Sequence, residues 1–70
     1  MTAGEILRYA RENFGLTIDE AAQLMDRPPI LLAAMETGQI SGPSAGFLAD
    51  AVNAWATQYG RQARVWEVEA

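Results

Sequence analysis

Two short stretches of the chain share one spacing, Thr2-Ala3-Gly4-Glu5 and Thr17-Ile18-Asp19-Glu20. A threonine three residues ahead of a glutamate is a capping box. Its hydroxyl accepts a hydrogen bond from the third amide, and the carboxylate reaches back to the threonine's own N–H. Each box sets the residue at which a helix begins. Gly15, between the two, is suited to end the first helix. Helices this short are marginal in water by themselves, so they must pack on one another. The chain is thereby held to an all-α bundle.

The apolar pattern supports the same reading. Ile6, Leu7, Ala10 and Phe14 recur at helical spacing in the first segment, and Ala21, Ala22, Leu24 and Met25 form the face of a second helix over about 17–25. Glu5 with Arg8, and Arg8 with Glu12, are exposed pairs worth at most a few tenths of a kcal/mol. Asp26 and Arg27 make a turn. A third helix over about 29–37 starts at Pro29, where the missing N–H costs nothing, and ends at Gly38. The stretch 39–44 (QISGPS) is loop by composition. Ser44 caps a fourth helix reaching about Tyr59, with Phe47, Leu48, Ala51, Val52, Trp55 and Tyr59 expected on its buried face and Gly60 as its stop. Residues 1–60 therefore form one domain.

The last ten residues differ. Trp66 and Val68 alternate with Val65, Glu67 and Glu69, which favours a strand over a helix. A single strand needs a partner. Val65, Trp66 and Val68 either pair with a second copy in a homodimer or dock on another protein, unless 61–70 is a loose extended tail.

Charge narrows the classes of function. The chain has five basic residues, all arginine, against nine acidic ones, for a net charge of -4. Nucleic-acid-binding domains usually have the opposite balance, because neutralising phosphates supplies most of their non-specific affinity. Between residues 15 and 40 the four carboxylates of Asp19, Glu20, Asp26 and Glu36 face one arginine, Arg27. Catalytic chemistry has little to build on. There is no histidine or cysteine, no paired carboxylate pattern and no glycine-rich phosphate loop. Asp19 and Glu20 are explained by the favourable helix dipole at a first turn. No enzyme activity, cofactor or metal is expected. No apolar run approaches the roughly 18 residues of a membrane span, and the N-terminus lacks a basic region followed by an apolar core. The expectation is a cytoplasmic protein with no membrane partner.

Residues 4–55 resemble the Cro and Xre family of phage-repressor helix-turn-helix domains. The resemblance is carried by Gly15 and Leu16, then Thr17, Glu20 and Ala22, then Glu36 and Gly38, aligned without a gap and followed by a further helix. It implies a compact four-helix repressor-like domain, to which the residue pattern of 61–70 adds a short C-terminal strand or extended tail. It also implies a structural ion pair between Arg11, late in helix one, and Glu36, at the end of helix three.

At the positions where the family touches DNA, this chain departs from it. Ile18 stands where a phosphate-contacting glutamine is common, and Pro28 where a serine or threonine caps the reading helix. Pro29, Ile30, Ala33 and Ala34 hold the polar base-reading positions, and Gln39 stands for a basic residue. With Leu32 and Met35 inward, residues 30, 33, 34 and 37 project outward. A good bidentate base contact is worth about 1–3 kcal/mol, and isoleucine and alanine cannot make one.

Two readings follow. In the first, a regulatory protein keeps the scaffold but uses Ile18, Pro28, Pro29, Ile30, Ala33 and Ala34 to contact a protein partner or a second copy. In the second, a DNA-binding regulator acts as a dimer, with Arg8, Arg27, Thr17, Thr37 and Gln39 on phosphates and Arg61 and Arg64 as a further basic pair.

Overall fold

Both capping boxes are formed. In this computed structural model, which describes the backbone of residues 1–69 and the side chains of residues 1–60, the Thr2 hydroxyl accepts from the Glu5 amide at 3.2 Å. The Thr17 hydroxyl accepts from the Glu20 amide at 3.1 Å. Each glutamate closes its box on the threonine amide, at 3.4 Å for Glu5 and 3.1 Å for Glu20. Four helices result: α1 (Ala3–Asn13), α2 (Ile18–Met25), α3 (Pro29–Thr37) and α4 (Ala45–Glu69). No strand occurs among the described residues.

The first three helices end alike. Gly15, Asp26 and Gly38 adopt positive φ values of 69, 56 and 80°. In each case the next amide donates five residues back, Leu16 to Arg11, Arg27 to Ala22 and Gln39 to Ala34. This closure satisfies carbonyls that a helix end leaves unpaired. Among the described residues Asp26 is the one non-glycine in the left-handed region, a conformation that aspartate tolerates better than most side chains.

α3 begins without a side-chain cap at Pro28, with Pro29 as its first residue. The Ser44 hydroxyl accepts from the Phe47 amide at 3.1 Å and opens α4. That helix does not stop at Gly60. It continues to Glu69, which corrects both the expected stop and the expected strand over 61–70. A glycine inside a helix costs only about 1 kcal/mol, and helix-forming Gln58, Gln62 and Ala63 flank this one. A lone strand would leave its backbone groups without partners, whereas a helix bonds its own. The side chains of Val65, Trp66 and Val68, assigned to dimerisation, lie outside the described residues.

Leu7, Ala21, Ala22, Leu32, Ala51 and Trp55 form the buried core, with Phe14, Leu16, Leu24, Met25, Met35, Phe47 and Leu48 packed around it. Trp55 is almost fully enclosed, and its indole N–H donates to the Ala21 carbonyl at 3.2 Å. Phe14 meets Trp55 and Tyr59 edge-on, with ring centroids 6.3 and 6.0 Å away. Three residues expected inside are exposed: Ile6, Val52 and Tyr59. The apolar pattern of α4 is wider than one face, and the short helices beneath it cover only the side bearing Phe47, Leu48, Ala51 and Trp55.

α1 sits tightly on the end of α3. A Cβ on Gly4 would fall inside the van der Waals envelope of the Met35 carbonyl oxygen and close to the Glu36 backbone. Alanine normally stabilises a helix interior over glycine by about 0.5–1 kcal/mol. Here Gly4→Ala is expected to destabilise the fold by about 1–3 kcal/mol, the usual cost of overpacking. A urea melt checks the sign, and a more stable variant would refute this seating of α1 on α3.

Candidate functional site

The outward face of α3 follows from its helical period and its partners. Leu32 is fully buried and Met35 packs against the core, as expected. The opposite side then carries Ile30, Ala33, Ala34 and Thr37. Ile30 is 79% exposed, and Pro28 and Pro29 before it are also exposed. Ala33 and Ala34 are half-buried. Ile18 is half-buried, as Ala33 and Ala34 are, and packs against the core. Its place at the first turn of α2 turns it toward the bundle.

The polar groups near this face are already engaged. The Thr37 hydroxyl donates to the Ala33 carbonyl at 2.9 Å. Gln39 is exposed just beyond Gly38, and its amide closes α3 on Ala34. The Thr17 hydroxyl accepts the Glu20 amide, and the Thr17 amide donates to the Glu20 carboxylate. The Thr17 backbone amide, and after it the Thr17 hydroxyl, lower the pKa of the Glu20 carboxyl, so it remains ionised at neutral pH.

A helix N-terminus attracts phosphate when its first amides are free and its surroundings are not negative. Neither condition is met well here. At α2 the capping box uses the Thr17 and Glu20 amides, and the Asp19 and Glu20 carboxylates stand in the first turn. At α3 neither Pro28 nor Pro29 has an N–H to offer, and the Leu31 amide is bonded to the Pro28 carbonyl at 3.1 Å.

The arginines are placed differently from one another. Arg8 pairs with Glu12 at 2.7 Å along the exposed side of α1. That hydrogen bond raises the Arg8 pKa further and lowers that of Glu12. Arg27 lies over the Phe47 ring, 5.9 Å from its centroid, a cation–π contact tying the α2–α3 turn to α4. Nothing in the sequence spacing links those two residues.

Arg11 is bound most fully. Its Nε and one terminal nitrogen reach the two Glu36 carboxylate oxygens at 2.9 Å each, and the other terminal nitrogen donates to the Leu16 carbonyl at 2.8 Å. The side chains are 13 and 5% exposed. The carboxylate raises the Arg11 pKa through this hydrogen bond. The fork ties α1 to the last turn of α3 and to the α1–α2 connection, and engages all three guanidinium nitrogens.

A cleft of about 480 Å³ lies between the start of α1 and the end of α3, lined in part by Thr2, Gly4, Met35, Thr37 and Ile40. Its two carboxylates are committed elsewhere, Glu5 to a capping box and Glu36 to Arg11. Among the described residues no group of carboxylates is arranged to hold a metal ion. No helix among them is long and apolar enough to cross a membrane. No protein-family model, curated protein or solved structure matches this chain.

Proposed function

We propose that this chain is a small non-enzymatic regulatory protein on a Cro/Xre-like helix-turn-helix scaffold, and that α3 contacts a protein partner instead of reading DNA bases. The observation that carries the reading is Ile30, 79% exposed beside two exposed prolines on a face with no free polar side chain but Gln39 at its end. Large apolar residues rimmed by charge are a common form of protein contact surface. In sequence the segment leading to this face carries Asp19, Glu20 and Asp26 against Arg27 alone, so the partner expected is apolar with a basic border.

The competing reading is a dimeric DNA-binding regulator, and Arg27 is the residue that favours it. It stands at the turn into α3, but its guanidinium is laid over Phe47. A DNA-binding domain keeps non-specific dissociation constants of about 10⁻⁴–10⁻⁶ M at physiological salt. Fluorescence anisotropy with arbitrary duplex DNA, in a salt series starting low, is expected to show no binding. Micromolar binding with a steep salt slope would restore the DNA reading, and Arg27→Ala should then weaken it.

For the protein reading, Ile30→Glu is the informative variant. An exposed substitution should change folding stability by no more than about 0.5 kcal/mol. It should cost the complex the burial of an isoleucine, about 1.5–3 kcal/mol, or roughly 10- to 100-fold in affinity. Affinity purification from the source cells, with Ile30→Glu beside the wild type, checks this. A partner retained equally by both proteins would remove α3 from the interface.

A further inference from the structure

Of the four carboxylates between residues 15 and 40, three have a structural reason to stand where they do. Asp19 and Glu20 occupy the first turn of α2, where the helix dipole favours them, and Glu20 also closes a capping box. Glu36 holds Arg11. Asp26 is the exception. It closes α2 at φ 56° and ψ 47°, a left-handed position that Gly15 and Gly38 fill beyond α1 and α3. Aspartate strains the backbone there where glycine would not. It also sets a negative charge at a helix C-terminus, the end where the dipole disfavours it.

The described part of the chain offsets neither cost. The Asp26 side chain is exposed, and among the described residues no ion pair includes it. It does not cap α3, which opens at Pro28 with no side-chain hydrogen bond. The three arginines whose side chains are described are engaged elsewhere, Arg8 on Glu12, Arg11 on Glu36 and Arg27 over Phe47. Arg27 is the adjacent residue, yet its guanidinium is drawn to α4, where Asp50 borders the same hollow. Arg61 is the next arginine, and from Phe47 to Arg61 the helix rises about 21 Å.

We propose that Asp26 is the charge-recognition residue of the α3 surface, pairing with an arginine or lysine of the protein segment that docks there. This inference rests on the α3 reading above and names the residue that meets the partner's cation. Pro28, Pro29 and Ile30 follow within four positions, a span of at most about 14 Å. The two prolines fix their own φ and stiffen that span. The occupant therefore carries apolar side chains for the prolines and Ile30, with a cationic one beside them. That cation relieves the unfavourable charge at the end of α2, a gain the free protein lacks. A phosphate would meet repulsion at the same point.

The first arm of the test is a urea melt of the free protein. Asp26→Gly removes both the strain and the charge, and is expected to raise the midpoint. An unchanged or lower midpoint would show that the carboxylate serves the fold, and would overturn the inference. The second arm selects a random peptide library displayed on phage against the immobilised full chain. Enriched peptides are expected to combine apolar residues with arginine or lysine. Titrated singly by fluorescence anisotropy, they should bind Asp26→Asn about two- to five-fold more weakly, the strength of an exposed ion pair. Their affinity for that variant should also depend less on salt. Ile30→Glu should bind them at least about tenfold more weakly. Asp50→Asn, which removes an equal charge from α4, should bind as the wild type does. Unweakened binding to Asp26→Asn, or equal weakening in Asp50→Asn, overturns the role of Asp26 and leaves the α3 surface standing. Peptides indifferent to Ile30→Glu, or no enriched peptide at all, overturn the α3 reading and this inference with it.

Discussion

Replacing Glu36 with alanine is expected to remove about 3–5 kcal/mol of folding stability, because it strands the Arg11 guanidinium in a largely enclosed site. Arg11 is 13% and Glu36 5% exposed, and the carboxylate is held by two charge-assisted hydrogen bonds. At the usual 0.05–0.15 kcal/mol per residue, a domain this size has about 4–10 kcal/mol in all. The variant should therefore lose from about a third to all of its stability. Urea denaturation followed by far-ultraviolet circular dichroism measures the loss. Replacing both partners with apolar residues, Arg11→Met with Glu36→Leu, should recover most of it, since the cost comes from the unpaired charge more than from the missing pair. A loss below about 1 kcal/mol in Glu36→Ala would mean that the pair behaves as a solvated one. The prediction also bears on α3, whose last turn is tied to α1 by this fork.

Trp55→Ala is expected to cost a similar amount, about 3–5 kcal/mol, from lost burial and the cavity left behind. Among the described residues Trp55 is the largest fully buried side chain. It touches Phe14 from α1 and donates to Ala21 in α2, so it joins three helices at one point. Trp55→Phe separates the contributions. It keeps most of the apolar volume and removes the indole N–H, and should cost about 1–3 kcal/mol. The melting midpoints of the two variants give the ordering. Equal losses would show that the hydrogen bond, and not the enclosed volume, dominates at this position.

Much of the candidate site could be read from the residues themselves. The inward placement of Leu32 and Met35 and the outward placement of Ile30 follow from 3.6 residues per turn, and both are found. Ile18 could not be placed in this way. Its exposure depends on how the first turn of α2 meets the bundle, and it turns inward to the core. Arg27 over Phe47 was equally hidden, because Arg27 lies in the α2–α3 turn and Phe47 in α4, and they meet only through packing. The Arg11–Glu36 pair was expected from the family resemblance, not from spacing, since the two are 25 positions apart.

By itself the sequence determined where the first three helices begin and end. Thr2, Thr17 and Pro29 at the starts, and Gly15 and Gly38 at the ends, act through hydrogen bonds and backbone conformations within a few residues. Such interactions are the same whatever the rest of the chain does. Tertiary structure decided which apolar residues of α4 are covered and what becomes of residues 61–69. The apolar pattern over Val52 and Tyr59 says only that these residues favour burial. The three shorter helices are too few and too short to enclose both sides of α4. Alternation over Val65–Val68 favoured a strand, but a strand exists only by bonding to another. In a chain that offers none among its described residues, the backbone bonds to itself as helix.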